Sequence, residues 1–153
     1  MKKILSIALV ATLSFGSFSC SKKSDNGGSN NNTTKGKSVL IKITLSPAVL
    51  PGQDDFSGAI NGVLPGSQLA TWKVNGVTRT NESTIAFTQA DFKSGVITIE
   101  ATAGVTSANL ALSGLAVSQT SYSVLVETTL DGKAQDPVTI PVTSVLQRSF
   151  SYF

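Results

Sequence analysis

QLATWKVNGVTRT, residues 68–80, decides the fold class. Ala70, Trp72 and Val74 alternate with Thr71, Lys73 and Asn75. A period of two places the first set on one face of a strand and the second set on the other. Asn75-Gly76 then stands between Val74 and Val77. The favoured two-residue hairpin turn needs positive φ at both central positions, which Asn-Gly tolerates well. The stretch reads as a β-hairpin with one apolar face. Its return strand is VTRT, continuing past Asn81-Glu82 into STIAFT.

The same period runs outward from this hairpin. In SVLIKITLS (38–46), Val39, Ile41, Ile43 and Leu45 form one face. Gly95 opens VITIEATA, with Ile97, Ile99 and Ala101 on one side. SYSVLVETTL aligns Tyr122, Val124 and Val126, and Asp131-Gly132 marks a second turn. PVTIPVTSVLQ aligns Val138, Ile140 and Val142. Pro141 falls on the opposite face and has no N–H to give, so this strand belongs at a sheet edge. Thr88 and Asp91 have capping-box spacing, which predicts one helical turn there. Residues 47–68 are rich in Gly and Pro and suggest a strand only around 56–60; SANLALSGLAV (107–117) reads as a looser stretch. About seven short alternating strands with frequent turns predict one antiparallel β-sandwich over residues 38–153.

The chain begins Met1-Lys2-Lys3 and continues ILSIALVATLSFGSF over 4–18. Two lysines before a short apolar run are the layout of a secretory signal. A membrane-spanning helix needs about 20 apolar residues, more than this run offers. The only cysteine, Cys20, follows Ser17-Phe18-Ser19. Residues 21–37, SKKSDNGGSNNNTTKGK, contain no apolar residue and cannot offset the entropy of ordering. They read as a flexible tether with a mean span of roughly 20–25 Å. The expected organisation is a signal peptide over 1–19, an anchored tether over 20–37 and a folded domain over 38–153.

Two resemblances sharpen this reading. Ser17-Phe18-Ser19-Cys20 resembles the lipobox of bacterial lipoproteins, and the start CSKKSDN is similar to those of Bacteroidetes-type envelope lipoproteins. The family usually has Leu three residues before the cysteine, where this chain has Ser17. The resemblance implies lipid (palmitate-type acyl chains) on Cys20 and anchoring to the outer membrane. The alternative is ordinary export, since the same triplet also suits the general secretory peptidase. In that group, acidic residues soon after the cysteine go with display on the cell surface. Here Lys22 and Lys23 come first, so the periplasmic and surface faces both remain open. TWKVNGV followed by TIAFTQADFKSGVITIEATA resembles immunoglobulin-like domains of the polycystic-kidney-disease (PKD-like) type, over residues 68–103. It departs from them after Trp72, where Lys73-Val74 replaces the usual acidic turn. The resemblance implies a binding, spacer or adhesion module.

Charge and composition narrow the chemistry. The chain carries a net +3, but the segment from Ser38 onward has six basic against eight acidic residues, a net of −2. A nucleic-acid binder concentrates positive charge on its folded domain, so no nucleic-acid partner is expected. There is no histidine, which removes the commonest general base and transition-metal ligand. With one cysteine there is no internal disulfide, and the expectation is a non-enzymatic protein without a cofactor. Asp54-Asp55, and Asp131 with Asp136, have the oxygen chemistry for calcium but stand where aspartates serve turns. Trp72 shares a strand face with Ala70 and Val74, which makes core packing its default, with a ligand platform as the alternative. The expected partners are the membrane, through lipid on Cys20, and an envelope protein or a glycan. The alternative function is a carbohydrate-binding accessory lipoprotein of a glycan-uptake system.

Overall fold

In the computed structural model, which describes residues 35–49, 54–117 and 121–153, period-two alternation resolves into eleven strands and one 3-10 turn. The strands are β1 (Val39–Ser46), β2 (Asp54–Val63), β3 (Trp72–Val74), β4 (Val77–Arg79), β5 (Thr84–Thr88) and β6 (Val96–Ala101). After them come β7 (Ser107–Ala116), β8 (Tyr122–Leu130), β9 (Lys133–Ala134), β10 (Val138–Val142) and β11 (Val145–Tyr152). They form two antiparallel sheets, a two-layer all-β sandwich. The larger runs β10-β8-β1-β6-β3-β4, with β9 also on β8; the smaller runs β11-β7-β2-β5.

Burial follows the alternation residue by residue. Val39, Ile41, Ile43 and Leu45 of β1 are buried, as are Ile97, Ile99 and Ala101 of β6 and Tyr122, Val124 and Val126 of β8. Phe56 and Ile60 of β2, Ile85 and Phe87 of β5, and Leu110 and Leu112 of β7 meet them from the smaller sheet. The hairpin forms at Asn75-Gly76, with φ of 50° and 82°, and the second turn at Asp131-Gly132, with 49° and 74°. Asn75 is bound at both ends of its amide: Nδ2 donates to the Asp91 carbonyl at 2.7 Å, and Oδ1 accepts from the Thr98 N–H at 3.0 Å. The capping box is present at Gln89–Asp91, where Thr88 N–H donates to Asp91 Oδ2 at 2.9 Å. Phe92, just beyond it, packs edge-on against Phe56 with ring centroids 5.5 Å apart and closes that end of the core.

Three expectations are corrected. The return strand does not run on into STIAFT: Asn81 takes φ of 65° and sends the chain from β4 in the larger sheet to β5 in the smaller. PVTIPVTSVLQ is likewise two strands, β10 and β11, in different sheets. The looser stretch at 107–117 is β7, which pairs with both β2 and β11 along its length.

Pro141 does lie on an edge strand, opposite Ser123. The pairing of β8 slips by one residue between β9 and β10. Thr129 faces Ala134 and Gln135 N–H donates to the Thr128 carbonyl, yet Val126 faces Val138. One extra residue is taken up around Asp136-Pro137, as in a β-bulge. Without it Thr139 and Pro141 would point inward; with it Val138, Ile140 and Val142 do.

Candidate functional site

Cys20, and with it the lipid anchor, lies outside the described residues, as do the signal peptide and residues 20–34 of the tether. The folded domain is held at its first residues. Lys37 bridges to Val105, and Ser38 N–H donates to Asp131 Oδ1 at 2.8 Å. That bond gives Asp131 a turn-and-anchor role. Asp55 and Asp136 are exposed. Among the described residues no three acidic or thiol side chains gather as metal ligands would.

Trp72 is fully buried, at 0% exposure, as its strand face predicts, and the alternative of a ligand platform is corrected. Its indole lies against Gly62, where a β-carbon would stand only 2.8 Å from Trp72 Cζ2. Among the described residues its Nε1–H has no acceptor, so the ring works here as volume. Phe56, Phe87 and Tyr122 are buried as well, and Phe92, Phe150 and Tyr152 are half-buried. Phe153 is the one strongly exposed aromatic among the described residues, at 47%, and Lys37 Nζ stands 4.5 Å from its ring centre.

The open surface feature lies on the outer face of the smaller sheet. Register places outward-facing residues in rows across β11, β7, β2 and β5. One row is Gln147, Ser113, Ser57 and Thr88; the next is Ser149, Ala111, Ala59 and Ala86; the third is Ser151, Asn109, Asn61 and Thr84. None of the twelve is charged. Short side chains in the middle leave an open trough of about 580 Å³, with Arg148 of the edge strand also on its lining. A second hollow of about 640 Å³ shares Ser57, Thr88 and Ser113 with it and extends toward Gln89, Leu115, Val145 and the exposed carboxylate of Asp55. Hydroxyl and amide groups here can donate and accept hydrogen bonds, and no group in the rows supplies an acid, a base or a nucleophile with its activating partner. The sequence reading missed this face because β2 and β7 carry most of it, and both read as Gly-rich loop or looser chain.

The chain matches no protein-family model. Nor does any curated protein match it. Among solved structures it is similar to a domain of unknown function, DUF4425, from Bacteroides vulgatus, with 15% identity and a TM-score of 0.57 over 76% of this chain and 93% of that one. It is similar to a DUF4425 family protein from Bacteroides ovatus, with 16% identity and a TM-score of 0.57 over 78% and 95%. It is also similar to the calcium-bound form of a protein from Parabacteroides distasonis, with 11% identity and a TM-score of 0.51 over 85% and 99%. At such identities the likeness is one of fold.

Proposed function

We propose that the chain is a lipid-anchored protein of the bacterial cell envelope, presenting one immunoglobulin-like sandwich as a non-enzymatic binding or structural module. The observation that carries this reading is the position of Cys20, directly after an apolar leader and before 17 residues without an apolar side chain. A thiol there suits acylation better than packing. The solved chains of similar fold come from Bacteroides and Parabacteroides, the group whose lipoproteins the start of this chain resembles. The immunoglobulin-like reading draws support from the buried Trp72 and from a chain that passes repeatedly between two antiparallel sheets. The non-enzymatic reading draws support from the absence of histidine and from carboxylates in structural use. Asp91 caps a turn and meets Arg79, Glu127 meets Lys42, and Glu100 meets Lys73. Mass spectrometry of the mature N-terminal peptide tests the anchor. The expected peptide begins at Cys20 and carries acyl chains; a peptide with an unmodified thiol overturns the proposal.

The row of hydroxyl and amide groups on this face favours a second reading, binding of a neutral glycan. Its hydroxyl and amide groups match a hydroxyl-rich ligand, with Arg148 at its margin; the rings beneath it, Phe87 and Phe56, are buried and offer no stacking face. A glycan panel on the parent and on Ser113→Lys tests it: binding lost in the variant supports the reading, and no binding by the parent rejects it.

A further inference from the structure

Every open sheet has two edge strands, and each edge exposes a row of unpaired backbone groups that invites another strand. Three of the four edges here are blunted. β4 has three residues and β5 five. β10 carries Pro141 and follows the slip at Asp136-Pro137. β11 is different. It runs eight residues from Val145 to Tyr152 in unbroken register with β7, without proline or bulge. Among the described residues its other side has no strand partner.

The geometry points to β11 as a docking edge for a second copy of this chain, the two β11 strands pairing antiparallel about a two-fold axis at Ser149. The residues of β11 select both partner and register. Leu146, Phe150 and Tyr152 take inner-side positions and Gln147, Ser149 and Ser151 outer ones; Arg148 stands at an inner-side register position but is exposed at the edge. Residues directly opposite in an antiparallel pair share a face, so only registers that set even-numbered residues against even-numbered ones keep both faces continuous. A two-fold at Arg148 would oppose two guanidinium groups. A two-fold at Phe150 would overlap only the last part of the strand. A two-fold at Ser149 sets Leu146 against Tyr152, Gln147 against Ser151 and Arg148 against Phe150, using nearly the whole strand. Arg148, the one charge on β11, makes no salt bridge among the described residues and would lie beside an aromatic ring, a favourable contact. No like charges are set opposite each other along β11 in this register. The interface is isologous, as closed dimers are. One strand pair is a small interface, so the expected state is a monomer–dimer equilibrium that moves with concentration.

Two arms test this on the full chain. In Ser149→Cys the introduced thiols face each other across the axis, with β-carbons about 4.5–5.5 Å apart. A short bis-thiol reagent is expected to give a covalent dimer in which peptide 149 is joined to peptide 149. The parent, which carries Cys20 alone, gives the background, and Ser113→Cys, one strand further in on the same face, is expected to give none. In the second arm, Ser149→Lys opposes two like charges and is expected to raise the dimer dissociation constant at least about tenfold. Ser57→Lys, two strands away, is expected to leave it unchanged, with the far-UV spectrum confirming that both variants fold. A parent chain that sediments as a monomer up to its solubility limit overturns the proposal. So does a dimer that cross-links through residue 113 instead of 149.

Discussion

On the outside of the seven-stranded sheet, Lys42 and Glu127 face each other across two strands at 2.8 Å, and Lys73 and Glu100 do so at 3.8 Å. At comparable places on the four-stranded sheet stand Ser57 and Ser113, Ala59 and Ala111, Asn61 and Asn109. The inner faces differ as much. The larger sheet alternates without interruption and sends Trp72 and Tyr122 across the core. The smaller sheet interrupts its inner face with Gly58, Gly62 and Gly114. These glycines are the places where rings arrive. Trp72 lies on Gly62, the Tyr122 hydroxyl on Gly114, and Phe87 folds over its own cross-strand partner Gly58. Tyr122 goes further and donates to the Asp55 carbonyl of the opposite sheet at 3.1 Å. One sheet supplies large side chains and a charged, solvated exterior. The other supplies the space for them, an exterior whose three central rows are uncharged and the long open edge β11.

Removing the largest of these side chains breaks the match most severely. Truncating a buried aromatic typically costs about 3–5 kcal/mol. A domain without a disulfide has roughly 5–15 kcal/mol in total. Trp72→Ala is therefore expected to lower the urea midpoint sharply, and a near-unchanged midpoint would deny the ring its core role.

Filling the space from the other side is the next largest effect. Gly62→Ala puts a methyl group against the indole, and overpacking of this kind costs about 1–3 kcal/mol. The two residues share one volume, so their effects should not add. In a Trp72→Ala background the same Gly62→Ala change is expected to cost little. Equal costs in both backgrounds would mean that the glycine is there for a reason unrelated to the ring.

The smallest expected effect lies between the sheets at β11. Tyr152 shares a hydrogen bond of 3.1 Å with Thr128, which is buried on β8. Burial pushes the Tyr152 phenol above its ordinary value of 10.0, and the Thr128 hydroxyl partly opposes the rise. The unfolded chain then gives up this proton first, so the stability that Tyr152 provides is intact below about pH 10 and falls as pH rises through the higher folded value. Urea midpoints followed upward from pH 8 are expected to decline less steeply in Tyr152→Phe than in the parent. Identical slopes would show that the phenol does not titrate differently on folding.

The same asymmetry explains what the sequence makes legible. Strands β1, β3, β6, β8 and β10 of the larger sheet were readable because their inward residues are large and their outward residues polar, the plain period-two signal. Asn75-Gly76, Asp131-Gly132, the Thr88–Asp91 cap and the edge position of Pro141 follow from local backbone chemistry and needed no tertiary knowledge. β7 and most of β2 were hidden because glycine weakens a strand signal wherever a ring from elsewhere takes the side-chain volume. Gly58, Gly62 and Gly114 look like breakers until Phe87, Trp72 and Tyr122 are placed beside them. The trough went unseen for the same reason, since its middle rows belong to those two strands. The crossings at Asn81 and between Val142 and Val145 depend on which sheet the next strand joins, and short-range pattern does not encode that. Alternation alone makes core the default for Trp72, and its burial against Gly62 agrees.

The central claim is that the four-stranded sheet is the side of the domain built to be joined, while the seven-stranded sheet is closed off at its edges. Backbone amide hydrogen exchange at low and high protein concentration compares the edges directly. Raising the concentration is expected to slow the outward-pointing amides of β11, Val145–Tyr152, and to leave those of β10 and β4 unchanged. Exchange in β11 that ignores concentration, or equal slowing in β10, would contradict the account.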